Sequence, residues 1–227
     1  MRFLVFILAS AACAQPASKL TGFPFQDETL RYMVRWPSGM TLGEAIFNAH
    51  KSDAGWSFAT TVSASVPGFA VQDSYRSTAT ADLCSLTFER SFVHGAKQTG
   101  EKTTFDQRNH RATRVTTKPP SDGKTEFATG ECARDAISFV YFMRREMGQG
   151  RVAPAEPVYF GGGYSVSLHY LGGVPGNGGT VDRVAGSVKG PGSSFSVEID
   201  FERDAARTPL SIRIPLTLGI LSAELVR

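Results

Sequence analysis

Histidine is scarce in this chain, and so is cysteine. The four histidines, His50, His94, His110 and His169, lie far apart, none at metal-ligand spacing from a cysteine, an aspartate or another histidine. They read as solvated side chains rather than a zinc site. The three cysteines include no C-x-x-C pair, so the usual arrangement of a redox-active site is missing. A G-x-S-x-G elbow is absent too, which leaves a hydrolase of that type without its nucleophile. A triad gathered from distant positions would leave no such trace. Gly123-Lys124-Thr125 has the ending of a phosphate loop, but Lys118 stands where the leading glycine is needed, and Gly161-Gly162-Gly163 precedes a strand instead of a helix. Neither can set a backbone nest or a helix dipole around a phosphate. No cofactor signature remains. Charge is nearly balanced, at a formal net of +3, which does not argue for nucleic acid.

What is present is apolar side chain in ordinary proportion. With 41% hydrophobic and 11% aromatic residues and no linker-like stretch, the chain can bury a sizeable core as one domain. At its start, MRFLVFILASAACA combines one arginine, an apolar run from Phe3 to Leu8 and small residues ending in Ala12-Cys13-Ala14. The run is far short of the ~20 residues of a membrane span. It has the pattern of a secretory signal peptide cut after Ala14. Residues 15–27 then form a leader and residues 28–227 a single β-rich domain. Cys13 would be lipidated only in a lipoprotein signal, and Ser10 stands where such signals usually carry Leu. Export to the periplasm or the extracellular space, with membrane association left open, puts the remaining pair, Cys84 and Cys132, in an oxidising compartment. One disulfide is expected there. It would staple the strand region around Cys84 to the start of a helix and constrain the unfolded chain by about 4 kcal/mol.

That helix is the one clear helical pattern. Asp135 is an N-cap, Ala136 to Met147 the helix, Arg144 and Arg145 suit its negative end and Gly148 offers the stop. Ala136 to Met143, AISFVYFM, is apolar around nearly the whole circumference, so its first two turns must be enclosed. The rest of the chain alternates with the period of strands. The clearest are Leu30 to Trp36, Gly55 to Val62, Tyr164 to Tyr170 and Phe195 to Glu202, with others at Ala45 to Ala49, Val71 to Ser77, Leu86 to a stop at His94-Gly95, Lys124 to Ala128, Thr180 to Val188, Leu210 to Ile214 and Leu216 to Val226. Pro67-Gly68 reads as a break and Pro119 to Gly123 as a loop. Leu86, Phe88 and Phe92 share one face. Lys97 to Phe105 and Arg111 to Lys118 are polar enough to face water broadly. Arg151 to Pro157 reads as an extended connector, and Pro209 and Pro215 as signs of an edge or a bulge. The architecture this implies is all-β and mainly antiparallel, a strongly curved sheet or partly open barrel around a single helix.

Three segments resemble the secreted bacterial proteins grouped as domain of unknown function 3108. LRYMVRWPSGMTLGEAIF is similar to that family's aromatic first strand and glycine-alanine turn, DAISFVYFMRR to its aromatic helix ending in arginine, and DFERDAARTPLSIRIPLTLGILSAEL to its closing strands, with Asp204, Arg207 and Pro209 at matching places. The resemblance implies an exported β-rich envelope protein, and it brings no reaction or catalytic residues. Phe201 and the cysteine pair depart from the family's usual pattern.

The expected function is non-enzymatic. An apolar or lipid-like ligand would lie between sheet and helix, with Tyr141 and Phe142 on the wall and Arg144 at the mouth holding a carboxylate or phosphate. Helix-end electrostatics alone would also account for Arg144 and Arg145. The alternative is a structural or assembly module that binds other envelope proteins by sheet edges, with Pro209 and Pro215 guarding one edge. A hydrolase of envelope polymers comes third. Lys97, Lys102, Arg108, Arg111, Arg114 and Lys118, against only Glu101 and Asp106, form a basic pair of strands that would suit anionic headgroups or acidic polysaccharide, or simply a solvated sheet face.

Overall fold

The computed structural model describes residues 27–66, 69–118, 123–176, 178–217 and 219–227. The segment expected to be a signal peptide, with Cys13, the expected leader up to residue 26, the Pro67-Gly68 break and most of the 119–123 loop lie outside the described residues. Fifteen strands and one helix follow in order: β1 (Asp27–Arg35), β2 (Thr41–Ser52), β3 (Gly55–Val66), β4 (Phe69–Ala79), β5 (Ser85–His94), β6 (Lys97–Asp106), β7 (Arg111–Thr116), β8 (Lys124–Ala128), β9 (Arg134–Asp135), α1 (Ala136–Gly148), β10 (Glu156–Tyr159), β11 (Gly163–Gly176), β12 (Gly179–Lys189), β13 (Ser194–Phe201), β14 (Pro209–Leu216) and β15 (Gly219–Leu225).

All fifteen strands belong to one sheet, ordered β8 to β1 and then β15 back to β9. Apart from the parallel β9–β10 pair it is an antiparallel meander, and the first and last described strands pair in mid-sheet, Tyr32 opposite Leu225. The two edges, β8 and β9, are close in sequence. No ladder joins them, and the sheet curves round without closing. Rings cross the seam instead: Tyr159 on β10 stacks on Phe127 of β8 at 5.4 Å and meets Phe105 of β6 edge-on at 5.7 Å. The expected curved, partly open β-architecture is the one observed.

Several local expectations need correction. Pro209 and Pro215 guard no edge, because β14 sits inside the sheet between β13 and β15. Pro209 instead opens its strand opposite Phe201, where the register slips at a bulge, a place that tolerates a missing N–H. In β5 the pairing jumps from Thr78–Thr87 to Ala79–Ser85. Leu86 is the extra residue, exposed, while Ser85 takes the inward position and is fully buried. Within the presumed connector, Glu156–Tyr159 forms β10, parallel to β9 and antiparallel to β11. The polar strands β6 and β7 face water only on one side, for Thr103, Phe105 and Ala112 are buried. Their basic face is partly neutralised across strands, with Lys102 2.8 Å from Glu89.

The helix lies on the concave side. Asp135 caps it as expected, accepting from the amides of Ile137 and Ser138, whereas Gly148 is its last residue and Gln149 the C-cap. Phe139, Tyr141, Phe142, Met143 and Met147 join one continuous core with Phe58, Phe88, Phe105, Val158 and Phe201 of the sheet. Enclosure on all sides is what an all-round apolar helix requires.

Candidate functional site

The helix crosses the concave face with a polar anchor at each end. At the N-terminal end the Asp135 carboxylate accepts the hydroxyls of Ser77 (2.5 Å) and Ser85 (2.6 Å) through one oxygen and the two helix amides through the other. The Ser85 hydroxyl also accepts from the Asp135 amide at 2.8 Å and lies 2.8 Å from the Ser138 hydroxyl. These groups are fully buried, and no cation faces the carboxylate among these partners. Burial pushes its pKa up, against the lowering by Ser77, Ser85 and the two amides. Beside it, the Cys84–Cys132 disulfide closes a 48-residue separation between the β4–β5 turn and the approach to β9. Gln107 ties the same corner, donating to the Ser85 and Ala133 carbonyls and accepting from the Ala133 amide.

The C-terminal end is held by charge. Arg144, 1% exposed, donates through both terminal nitrogens to the two oxygens of Glu28 on β1, at 2.7 and 2.9 Å. Its Nε donates to the carbonyls of Ala206 and Arg207 in the β13–β14 turn, both at 3.1 Å. A planar guanidinium thus joins helix, first strand and a late turn in one bidentate geometry. Tyr141 donates to the same Glu28 at 3.3 Å and stacks on Phe58 with centroids 4.4 Å apart. Burial is the first cause of the high pKa of both Tyr141 and Tyr32. The Tyr32 hydroxyl donates to the Pro209 carbonyl at 2.8 Å.

Around the helix the concave wall is sealed: Ala49, Phe58, Ser77 and Phe88, one row of inward positions across β2 to β5, are 1–4% exposed. Farther along the same strands the inward side chains Val62 and Phe92 are only half-buried. Inward-facing Val34, Ile214 and Leu221 on β1, β14 and β15 share that state. Half of the concave wall is therefore packed by the helix, and the other half sets half-buried Val62 and Phe92 on either side of inward Asp73, with Arg90, His94 and Glu101 on the same face. Four open depressions of 410 to 520 Å³ lie elsewhere, on the convex outer face, lined by alternating polar side chains such as Arg76, Glu44, Arg213 and Thr104.

The side chains proposed for a ligand are thus brought together, and all are enclosed. Phe142 lies beneath the Arg134 guanidinium at 3.6 Å, Tyr141 is on Phe58, and Arg144 is in the interior on Glu28 rather than at a mouth or at a solvated helix end. Arg145 is the basic residue of the last turn. The histidines stay separate: His94 lies 2.7 Å from Asp73 and His50 2.7 Å from Asp27, and no cluster of three metal-ligating side chains occurs among the described residues. Sequence reasoning missed Glu28, Ser77 and Ser85. Ser77 carried a signal, as a small hydroxyl in an alternating strand, whereas Ser85 faces inward only through the Leu86 bulge.

Comparison with known proteins agrees with this architecture. A crystal structure of a β-barrel-like protein of domain of unknown function DUF1849 from Brucella abortus superposes with a TM-score of 0.64, covering 91% of this chain and 98% of that one at 9% identity. Such identity speaks for the fold alone. No curated protein matches. The family described as Protein of unknown function (DUF3108) matches residues 31–226, and with its first strand, helix and closing strands all inside that span, the chain belongs to this family.

Proposed function

We propose that this is an exported, non-enzymatic envelope protein that binds an apolar or lipid-like molecule on the uncovered half of its concave wall. One observation carries the reading: on the same strands and the same face, side chains beside the helix are sealed while Val62 and Phe92 are half-buried. Burying such a surface against a ligand would release ~25 cal/mol per Å². In this arrangement Tyr141 and Phe142 form the floor beneath the ligand, and Arg144 fixes that floor through Glu28 instead of meeting the ligand. The Cys84–Cys132 bond suits the oxidising compartment that export implies.

The test is titration of a fluorescent fatty acid, cis-parinaric acid, into the oxidised protein. Saturable binding is expected. Val62→Asp should weaken it at least about tenfold, or ~1.4 kcal/mol, while the neighbouring outward change Thr61→Asp leaves it intact. Equal affinity in all three proteins, or no saturable binding, would overturn the reading. A second reading, assembly through a sheet edge, is favoured by β8, which among the described residues pairs only with β7. Its mark would be a self-association or partner complex abolished by a proline at Thr125.

A further inference from the structure

We propose that the Cys84–Cys132 disulfide is a site of thiol–disulfide exchange with a dithiol partner, in which Cys84 receives the incoming sulfur and Cys132 departs as a thiolate held by Arg134. The inference is independent of the apolar ligand. Arg134 points Nη2 at the Cys132 sulfur, 3.0 Å away. A disulfide sulfur is a weak acceptor, a poor partner for a guanidinium that is only 8% exposed. The rest of the group is fixed: Nη1 donates to both Glu156 oxygens at 3.0 and 2.9 Å, the plane lies over Phe142, and Nε is buried without a partner. A desolvated cation held against sulfur becomes a strong charge-assisted donor once that sulfur carries charge. It lowers the thiol pKa, and a lower leaving-group pKa speeds exchange.

The two sulfurs are unlike. No hydrogen bond reaches the Cys84 sulfur among the described residues, and the turn beside it carries Asp82, which interacts with Arg145 of the helix. Glu156 and Arg145 are thus the other charges near Arg134, and Glu131 is next to Cys132 in sequence. Both cysteines are partly exposed, open to a small or flexible thiol. Cys132 of the bridge and Leu83 beside Cys84 have φ of 50° and 66°, left-handed values that cost a non-glycine residue energy.

The exchange balances as follows. A thiolate of the dithiol attacks the Cys84 sulfur, the S–S bond breaks, and its electron pair leaves on Cys132. The second thiol of the dithiol, deprotonated, then attacks its own sulfur in the mixed disulfide and releases Cys84 as a thiolate, which takes a proton from water. The dithiol ends as a disulfide, having supplied two electrons.

Two measurements test this on the whole oxidised chain. First, the protein is treated with limiting glutathione, acid-quenched and mapped by peptide mass spectrometry; the mixed disulfide should sit on Cys84. Second, the reduced protein is alkylated with iodoacetamide across pH. Cys132 should react with a midpoint at least about one unit below the ordinary ~8.5 of a free thiol. Arg134→Met should raise that midpoint. Glu156→Gln, which keeps shape and frees Arg134 from its counter-charge, should lower it further and carries the test if the arginine variant does not fold. Glutathione on Cys132, or a Cys132 midpoint near 8.5 that Glu156→Gln leaves unmoved, would overturn the assignment.

Discussion

The two halves of the concave wall are built from the same strands with the same alternation, yet they differ in what their side chains meet. Phe58 and Val62 are both inward residues of β3. Phe58 stacks on Tyr141 and is 3% exposed, whereas Val62, further along the same strand, is half-buried opposite Asp73. The pattern in sequence is therefore the same for a core position and for a wall that faces the open side. What separates them is the helix, and what fixes the helix is polar: Asp135 with its serines at one end, Arg144 with Glu28 at the other. An apolar helix could slide over an apolar wall. Buried hydrogen bonds that lose their partners on sliding set one position.

Changes on the sealed side should cost most. Phe58→Ala is expected to destabilise by about 3–5 kcal/mol through the cavity it leaves. Arg144→Met should cost a similar ~3–5 kcal/mol, because Glu28 is left charged and half-enclosed without its partner. Adding Glu28→Gln to Arg144→Met should return much of that loss, and a double variant as unstable as the sum of the two would show that the pair is not a unit. Both are read by urea unfolding of the oxidised protein. Next comes the staple. Replacing Cys84 and Cys132 by serine should cost about 2–4 kcal/mol and lower the thermal midpoint. An unchanged midpoint would mean that the serine network alone fixes that end.

Acidity gives a smaller and signed effect. The Asp135 pKa is raised in the folded state, so its ionisation opposes folding: the penalty is absent below the unfolded value near 3.8 and grows as pH rises from there toward the folded value. Asp200 behaves oppositely. Burial would raise its pKa, but Arg183 and Arg213 overcome this and hold it well below the carboxylate range, so its contribution is present above its ordinary value and lost as pH falls. Asp135→Asn should therefore gain on the natural protein as pH rises from ~4 to 7. A parallel pH dependence in the two proteins would contradict the raised value. On the open side, Val62→Ser should cost less than about 1 kcal/mol, the smallest stability change of the set, while weakening the fatty acid. A loss as large as that of Phe58→Ala would abolish the distinction between the halves.

Much of this was legible in the chain. Asp135 before an all-apolar octet announced both the cap and the enclosure, the two cysteines announced the staple, and alternation announced most strands. Elements of two and four residues, β9 and β10, were hidden because alternation needs length to register, and Pro157 argued against the latter. The Leu86 bulge escaped because alternation presumes an unbroken ladder. Glu28 and Arg144 are 116 positions apart, and nothing local to either reveals the other. That pairing holds an expected ligand residue in the interior. The open half of the wall was invisible for a related reason: exposure of an inward side chain depends on where the helix stops.

The most direct test of the central claim is native mass spectrometry of the disulfide-bonded protein expressed from its full sequence in an exporting host, followed by solvent extraction, alongside the Val62→Asp variant. The expected result is an apolar compound bound to the natural protein and absent from the folded, disulfide-bonded variant. A clean ligand-free mass for the natural protein that stays ligand-free after fatty acid is added would contradict the claim.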